Sequence, residues 1–125
     1  MANRNILVIE DEAPLLEVIK SKLEGQGFNA ITVKNVEQGF KKLKELERLD
    51  VVWLDHYLLG KKTGIDFLDS LRKNRKWKDI PVFVISNTAS SDKLQKYKEL
   101  GARKCYVKAE NRLDQIVEDI SKNIN

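Results

Sequence analysis

Glu10, Asp11, Asp55, Ser86 and Lys108 carry the side chains best suited to chemistry, and each follows a short apolar run. Ile6-Leu7-Val8-Ile9 stops at Glu10-Asp11-Glu12, and Val51-Val52-Trp53-Leu54 stops at Asp55. Ile80 to Ile85 stops at Ser86, and Lys104-Cys105-Tyr106-Val107 stops at Lys108. A single aspartate after such a run is as readily a turn or capping residue. Recurrence of reactive groups behind four runs favours a shared site. Three carboxylates brought together repel one another and raise some of their pKa values unless a cation joins them. Magnesium suits that role, because it is a hard ion that takes oxygen ligands from one or two carboxylates, waters and phosphates. A hydroxyl and an ammonium group would hold the remaining oxygens of a phosphoryl group. The chemistry indicated is phosphoryl transfer.

The elements that must position these groups follow from the apolar spacing. Runs of four to six residues rich in Val and Ile read as strands buried on both faces, as in a parallel sheet covered by helices. Between them, Leu15, Leu16, Ile19 and Leu23 recur at helical spacing after Pro14, which suits a first turn, until Gly25 and Gly27. Ala30 to Val33 predicts a second strand, and Asn35 with Gln38 predicts a capping box opening a helix through Phe40, Leu43 and Leu46. Ile65, Phe67, Leu68 and Leu71 mark a third helix, while Pro81 is tolerated at the start of a fourth strand. Asp92, Leu94, Tyr97 and Leu100 mark a fourth helix with Gly101 as its C-terminal cap. Asn111 is a candidate cap for a last helix carrying Leu113, Ile116, Val117, Ile120 and Ile124. Five β-α repeats predict an α/β fold with a parallel sheet, helices on both faces and right-handed crossovers. All strands then point one way, and their carboxyl ends gather the five reactive residues at one edge, where open α/β sheets bind ligands.

A chain of 125 residues is the size of one domain, expected here over residues 1–125. With 42% hydrophobic and 34% charged residues it has the composition of an ordinary globular protein. No apolar run approaches the roughly 20 residues of a membrane span, and Ile6 to Ile9 is too short for a secretory signal. The single Cys105 excludes an internal disulfide and a cysteine zinc cluster. Net charge is +4, with basic residues concentrated at Lys41, Lys42, Lys44, Lys61, Lys62 and from Arg72 to Lys78. Trp77 within that last run would suit base stacking, but no nucleic-acid-binding motif accompanies it. A solvated loop after a helix, its cations favoured by the helix dipole, is the better reading, with no direct nucleic-acid partner expected.

Together these residues resemble the receiver domain of two-component response regulators. The resemblance runs from Ile6 to about Ile124 and rests on four matches in order: the strand and acidic group Ile6 to Glu12, the stretch Val51 to Gly60, Ser86, and Lys108 following Gly101-Ala102. It implies a flavodoxin-like (βα)5 three-layer sandwich with strand order 2-1-3-4-5. It also implies roles. Asp55 would accept a phosphoryl group from a phosphohistidine on a sensor histidine kinase or histidine phosphotransfer protein. Asp11, Asp55 and the backbone carbonyl of Tyr57 would ligate Mg2+, with Glu10 acting mainly through bound water. Ser86 and Lys108 would hold phosphoryl oxygens. His56, the only histidine, would face away from Asp55 along the strand.

Several positions depart from the family pattern. Ala109 stands where a proline, often cis, normally follows the lysine; a cis Lys108-Ala109 bond would cost about 3 to 4 kcal/mol, so a trans bond is expected. Cys105 occupies the position of the family's aromatic switch, and the adjacent Tyr106 should point to the opposite face. Leu59 replaces a common proline. Tyr57 and Asn87 are larger than the family needs and would crowd the approach of hydrolytic water, lengthening the life of the phosphorylated form.

The resemblance implies a cytoplasmic signalling module, not a dedicated enzyme, whose output is phosphorylation-dependent binding to another protein through the fourth helix, fifth strand and fifth helix. A phosphorylation-independent adaptor is the alternative, favoured by Ala109 and Cys105. A magnesium phosphatase of the haloacid-dehalogenase type is disfavoured, because its second aspartate, two residues after the nucleophile, is Tyr57 here.

Overall fold

The computed structural model describes residues 4–55, 63–87 and 91–124. Strands β1 (Arg4–Ile9), β2 (Phe28–Val33), β3 (Val51–Asp55), β4 (Val82–Ser86) and β5 (Lys104–Val107) alternate with helices α1 (Ala13–Gly25), α2 (Val36–Glu45), α3 (Gly64–Arg72), α4 (Ser91–Glu99) and α5 (Leu113–Ile124). The strands form one parallel sheet in the order β2-β1-β3-β4-β5, as the sequence predicts. Alternation along each strand sends its side chains into two cores. Ile6, Val8, Trp53, Phe83 and Ile85 pack against α1 and α5, whereas Leu7, Ile9, Leu54 and Val84 pack against α2, α3 and α4. Each fully buried aliphatic or aromatic side chain contributes about 1.5 to 3 kcal/mol, which makes the central strands the rigid part of the molecule.

Local sequence explains where the elements start and stop. The Asn35 side chain accepts from the Gln38 N-H at 2.8 Å, as expected, but Gln38 Oε1 accepts from Lys34 N-H at 2.8 Å, so the reciprocal bond closes one residue outside the predicted box. A full capping box appears instead at Thr63 and Asp66, opening α3 at Gly64. Thr-x-x-Asp is the sequence signature of this box. β4 begins at Val82, and Pro81 precedes it with its carbonyl accepting from Val52 at 3.0 Å. Gly101 ends α4 with φ +82, where a β-carbon would be strained. Asn111 does not cap α5: its amide donates to the Val107 carbonyl at 3.1 Å and ties down the turn after β5.

The basic run after α3 has a structural explanation in two of its members. Trp77 is half-buried and packs against the α2-α3-α4 core, so its indole is not presented for stacking. Arg72 spreads its guanidinium over four backbone carbonyls: Leu100 (2.9 Å), Lys78 (2.9 Å), Ile80 (3.0 Å) and Gly101 (3.0 Å). One side chain thereby fastens the α3-β4 and α4-β5 connections, at the end of the sheet opposite the acidic edge. Charged hydrogen bonds of this kind are worth roughly 1.5 to 3 kcal/mol each and are not additive, so Arg72→Met should lower the unfolding free energy by about 3 kcal/mol in urea titration. Arg72→Lys should lose most of it too, because an ammonium cannot reproduce the planar fork. A loss below about 1 kcal/mol in both variants would show the clamp to be dispensable.

Candidate functional site at the carboxyl edge of the sheet

Strand register sets the site. Ile9 pairs with Leu54 and Asp55 with Ile85, so Glu10, one step past Ile9, stands alongside Asp55. Ser86 closes β4 beside Val107, and its carbonyl accepts from Lys108 N-H at 2.8 Å. Parallel strands thus deliver Glu10, Asp55, Ser86 and Lys108 to one edge from chain positions up to 98 residues apart. Carboxylate oxygens of Glu10, Asp11 and Asp55 all lie within 4.8 Å of one another. Lys108 Nζ lies 3.4 Å from Glu10 Oε1 and 3.7 Å from Asp55 Oδ1. The Lys108-Ala109 peptide is trans, as expected, and the lysine reaches both carboxylates without a cis bond.

The site is buried at its base and charged at its mouth. Glu10, Asp55 and Ser86 are buried, Asp11 is half-buried and Lys108 retains partial exposure. Burial, followed by the hydrogen-bonded and charged Asp55 carboxyl, pushes the Glu10 pKa up to about 8, with Lys108 pulling the other way. One ammonium group does not balance three carboxylates. Glu10 Oε2, fully buried, has no hydrogen-bond partner among the described residues. A buried acceptor without a donor, inside a cluster of oxygen ligands, fits a hard divalent cation.

Tyr57, expected to lend its carbonyl, and His56 lie outside the described residues, as does Leu59. Asn87 is exposed. Cys105 faces the α4 side and Tyr106 the α5 side, where the Tyr106 hydroxyl donates to Asp119 and is fixed there with Lys104, 2.9 Å from the same carboxylate. Sequence reasoning missed a third aromatic. Tyr97, read only as part of a helical stripe, is fully buried, with its hydroxyl at the first residue of α3, behind Asp55.

The model of the response regulator receiver domain matches residues 6–121. This chain belongs to that family. The receiver is 32% identical over 99 residues to the phosphate regulon transcriptional regulatory protein PhoB of Escherichia coli, covering 79% of this chain and 42% of PhoB. It therefore spans less than half the length of the curated relatives it matches first. Among solved structures, the phosphorylated cyanobacterial phytochrome response regulator RcpA superposes with a TM-score of 0.88 at 25% identity, covering 98% of this chain and 94% of RcpA. The chemotaxis protein CheY4 of Vibrio cholerae shares the fold, with a TM-score of 0.87 at 20% identity over 99% of this chain and 100% of that one. The expected flavodoxin-like, CheY-like architecture and the two-component family are thus those of this receiver. Among its described residues no helix is long and apolar enough to cross a membrane.

The raised pKa of Glu10 has a measurable consequence in metal-free receiver. Between about 4.5 and about 8 the folded state retains a proton on Glu10 that the unfolded chain has released. Stability from this group therefore falls as pH rises through that window, by at most about 1.4 kcal/mol per pH unit, and levels off above it. Urea midpoints of the metal-free protein should decline from acidic to mildly alkaline pH. Glu10→Gln, which stays neutral, should flatten that decline; an unchanged slope would place the missing charge elsewhere.

Proposed function

We propose that residues 1–125 form a single receiver domain that takes a phosphoryl group from a phosphohistidine onto Asp55 in a Mg2+-dependent reaction and signals by phosphorylation-dependent protein binding. The observation that carries this reading is the approach of Lys108 Nζ to within 3.7 Å of Asp55 at the centre of the three-carboxylate cluster. In the transfer step an Asp55 carboxylate oxygen attacks phosphorus, the phosphorus-nitrogen bond to the donor imidazole breaks, and the leaving nitrogen takes a proton. Lys108 has the length and charge to hold one phosphoryl oxygen, and the Ser86 hydroxyl, at the end of the neighbouring strand, to hold another. Glu10, Asp11 and Asp55, with the Tyr57 carbonyl, would hold the ion. When bound, it would neutralise charge shared between carboxylates and phosphoryl oxygens.

The donor is a sensor histidine kinase or a histidine phosphotransfer protein, and the acceptor of the output is another protein, in the cytoplasm. The receiver promotes its own phosphorylation without being a dedicated enzyme. Phosphoryl acceptance is favoured over a constitutive adaptor because Ala109, one of the two arguments for the adaptor beside Cys105, does not prevent Lys108 from reaching Asp55. Tyr57 and Asn87 would crowd hydrolytic water and lengthen the life of the acyl phosphate, so Tyr57→Ala should lose phosphate faster.

Intact-protein mass after incubation with acetyl phosphate and Mg2+ tests the reading. The parent should gain one phosphoryl group and Asp55→Asn none. Absence of gain by the parent, also with a histidine-phosphorylated donor, would move the function to the adaptor.

A further inference from the structure

α4 is the most polar of the five helices, and it rests on the sheet through very little. Of the α4 side chains whose burial is described, only Tyr97 is fully buried; Leu94 is half-buried and the remainder are exposed. Tyr97 enters the core formed by Leu54, Phe67, Leu68 and Val84, with Cys105 packed at its edge. Its hydroxyl travels further. A β-carbon at position 64 would lie 2.5 Å from the Tyr97 hydroxyl, 3.3 Å from the Asp55 carbonyl oxygen and 3.4 Å from Leu54 Cγ. The end of β3, the start of α3 and the tip of Tyr97 therefore meet at one point, directly behind Asp55. Gly64 has no positive φ, so the position needs glycine for space and not for backbone conformation.

The same tyrosine holds α4 at its other end. Its backbone carbonyl accepts from Ala102 N-H at 3.0 Å, fixing the turn into β5. β5 supplies no aromatic to this face, because Cys105 is the residue there and Tyr106 is turned toward α5. Burial, and after it the nearby Asp55 charge, push the phenol's pKa above the usual tyrosine value.

We infer that Tyr97 is the side chain that couples the state of Asp55 to the position of α4, its hydroxyl reading the backbone at the end of β3 and its ring carrying any shift to the helix. The signalling use of this coupling rests on the phosphoacceptor role proposed above. The coupling itself does not. A close-packed contact transmits displacement only if both sides move together, so removing one oxygen atom should break the transmission while leaving the ring in place.

The experiment is a double-variant cycle read by amide chemical shifts in folded receiver. Asp55→Asn removes the charge at the acceptor, and its effect on the amides of residues 91–99 is compared in the parent and in Tyr97→Phe. The α4 response should fall about three-fold or more in Tyr97→Phe, while the response at Glu10 and Lys108 persists. Equal α4 responses in the two backgrounds, or none in the parent, would overturn the inference. Adding acetyl phosphate and Mg2+ to the two proteins that retain Asp55, with mass recorded, separates the two claims: no mass gain would sink the phosphoacceptor role, yet the charge cycle would still decide the coupling. Gly64→Ala provides an independent check on the contact. It should lower the melting temperature of the parent and lower it less in Tyr97→Phe, whereas an equal loss in both would place the hydroxyl away from Gly64 and overturn the inference.

Discussion

Three carboxylates held within 4.8 Å of one another at the end of a buried sheet are the constraint on which this structure turns. Like charges at that distance repel strongly where water is scarce, and nothing in the hydrophobic core requires them to be there. The molecule accommodates them by raising the pKa of Glu10 and by bringing Lys108 from the far end of the chain. Neither measure completes the balance, and Glu10 Oε2 remains buried without a donor among the described residues. The arrangement is consistent with a site organised for a cation and an oxyanion.

The rest of the fold keeps that tension in place. Val8, Trp53 and Ile85 on one face, and Ile9, Leu54 and Val84 on the other, fix the three central strands by packing on both sides. The register of those strands then sets Glu10 beside Asp55. At the opposite end of the sheet, Arg72 fastens the α3-β4 and α4-β5 connections through four backbone carbonyls. α4 is different. Its exposed, lysine-rich sequence gives it little burial of its own, and Tyr97 is its principal attachment to the interior.

Fold and site were legible in the sequence to different depths. Apolar runs ending in Glu10, Asp55, Ser86 and Lys108 specify parallel strands and their common edge, because side chains with no polar alternation must be covered on both faces. The helices were legible in their apolar stripes, though their ends were less so. Asn111 has the chemistry of a cap, yet the Val107 carbonyl takes its amide, a choice decided by the tertiary position of the turn. Reach was illegible for a similar reason. Ala109 stands where the family pattern has proline, yet the flexible four-carbon side chain of Lys108 reaches Asp55 from a trans backbone. Tyr97 at helical spacing looks like any core residue; only the close approach at Gly64 shows where its hydroxyl goes.

The central claim is that the cluster is a cation site built from Glu10, Asp11 and Asp55. Titration of Mg2+ into the receiver, followed by amide chemical shifts, tests it most directly. Saturable binding at one site is expected, with shifts concentrated at residues 10, 11 and 55 and the end of β5, and a large loss of affinity in Asp11→Asn. Binding that leaves those amides unmoved, or that survives Asp11→Asn undiminished, would contradict it.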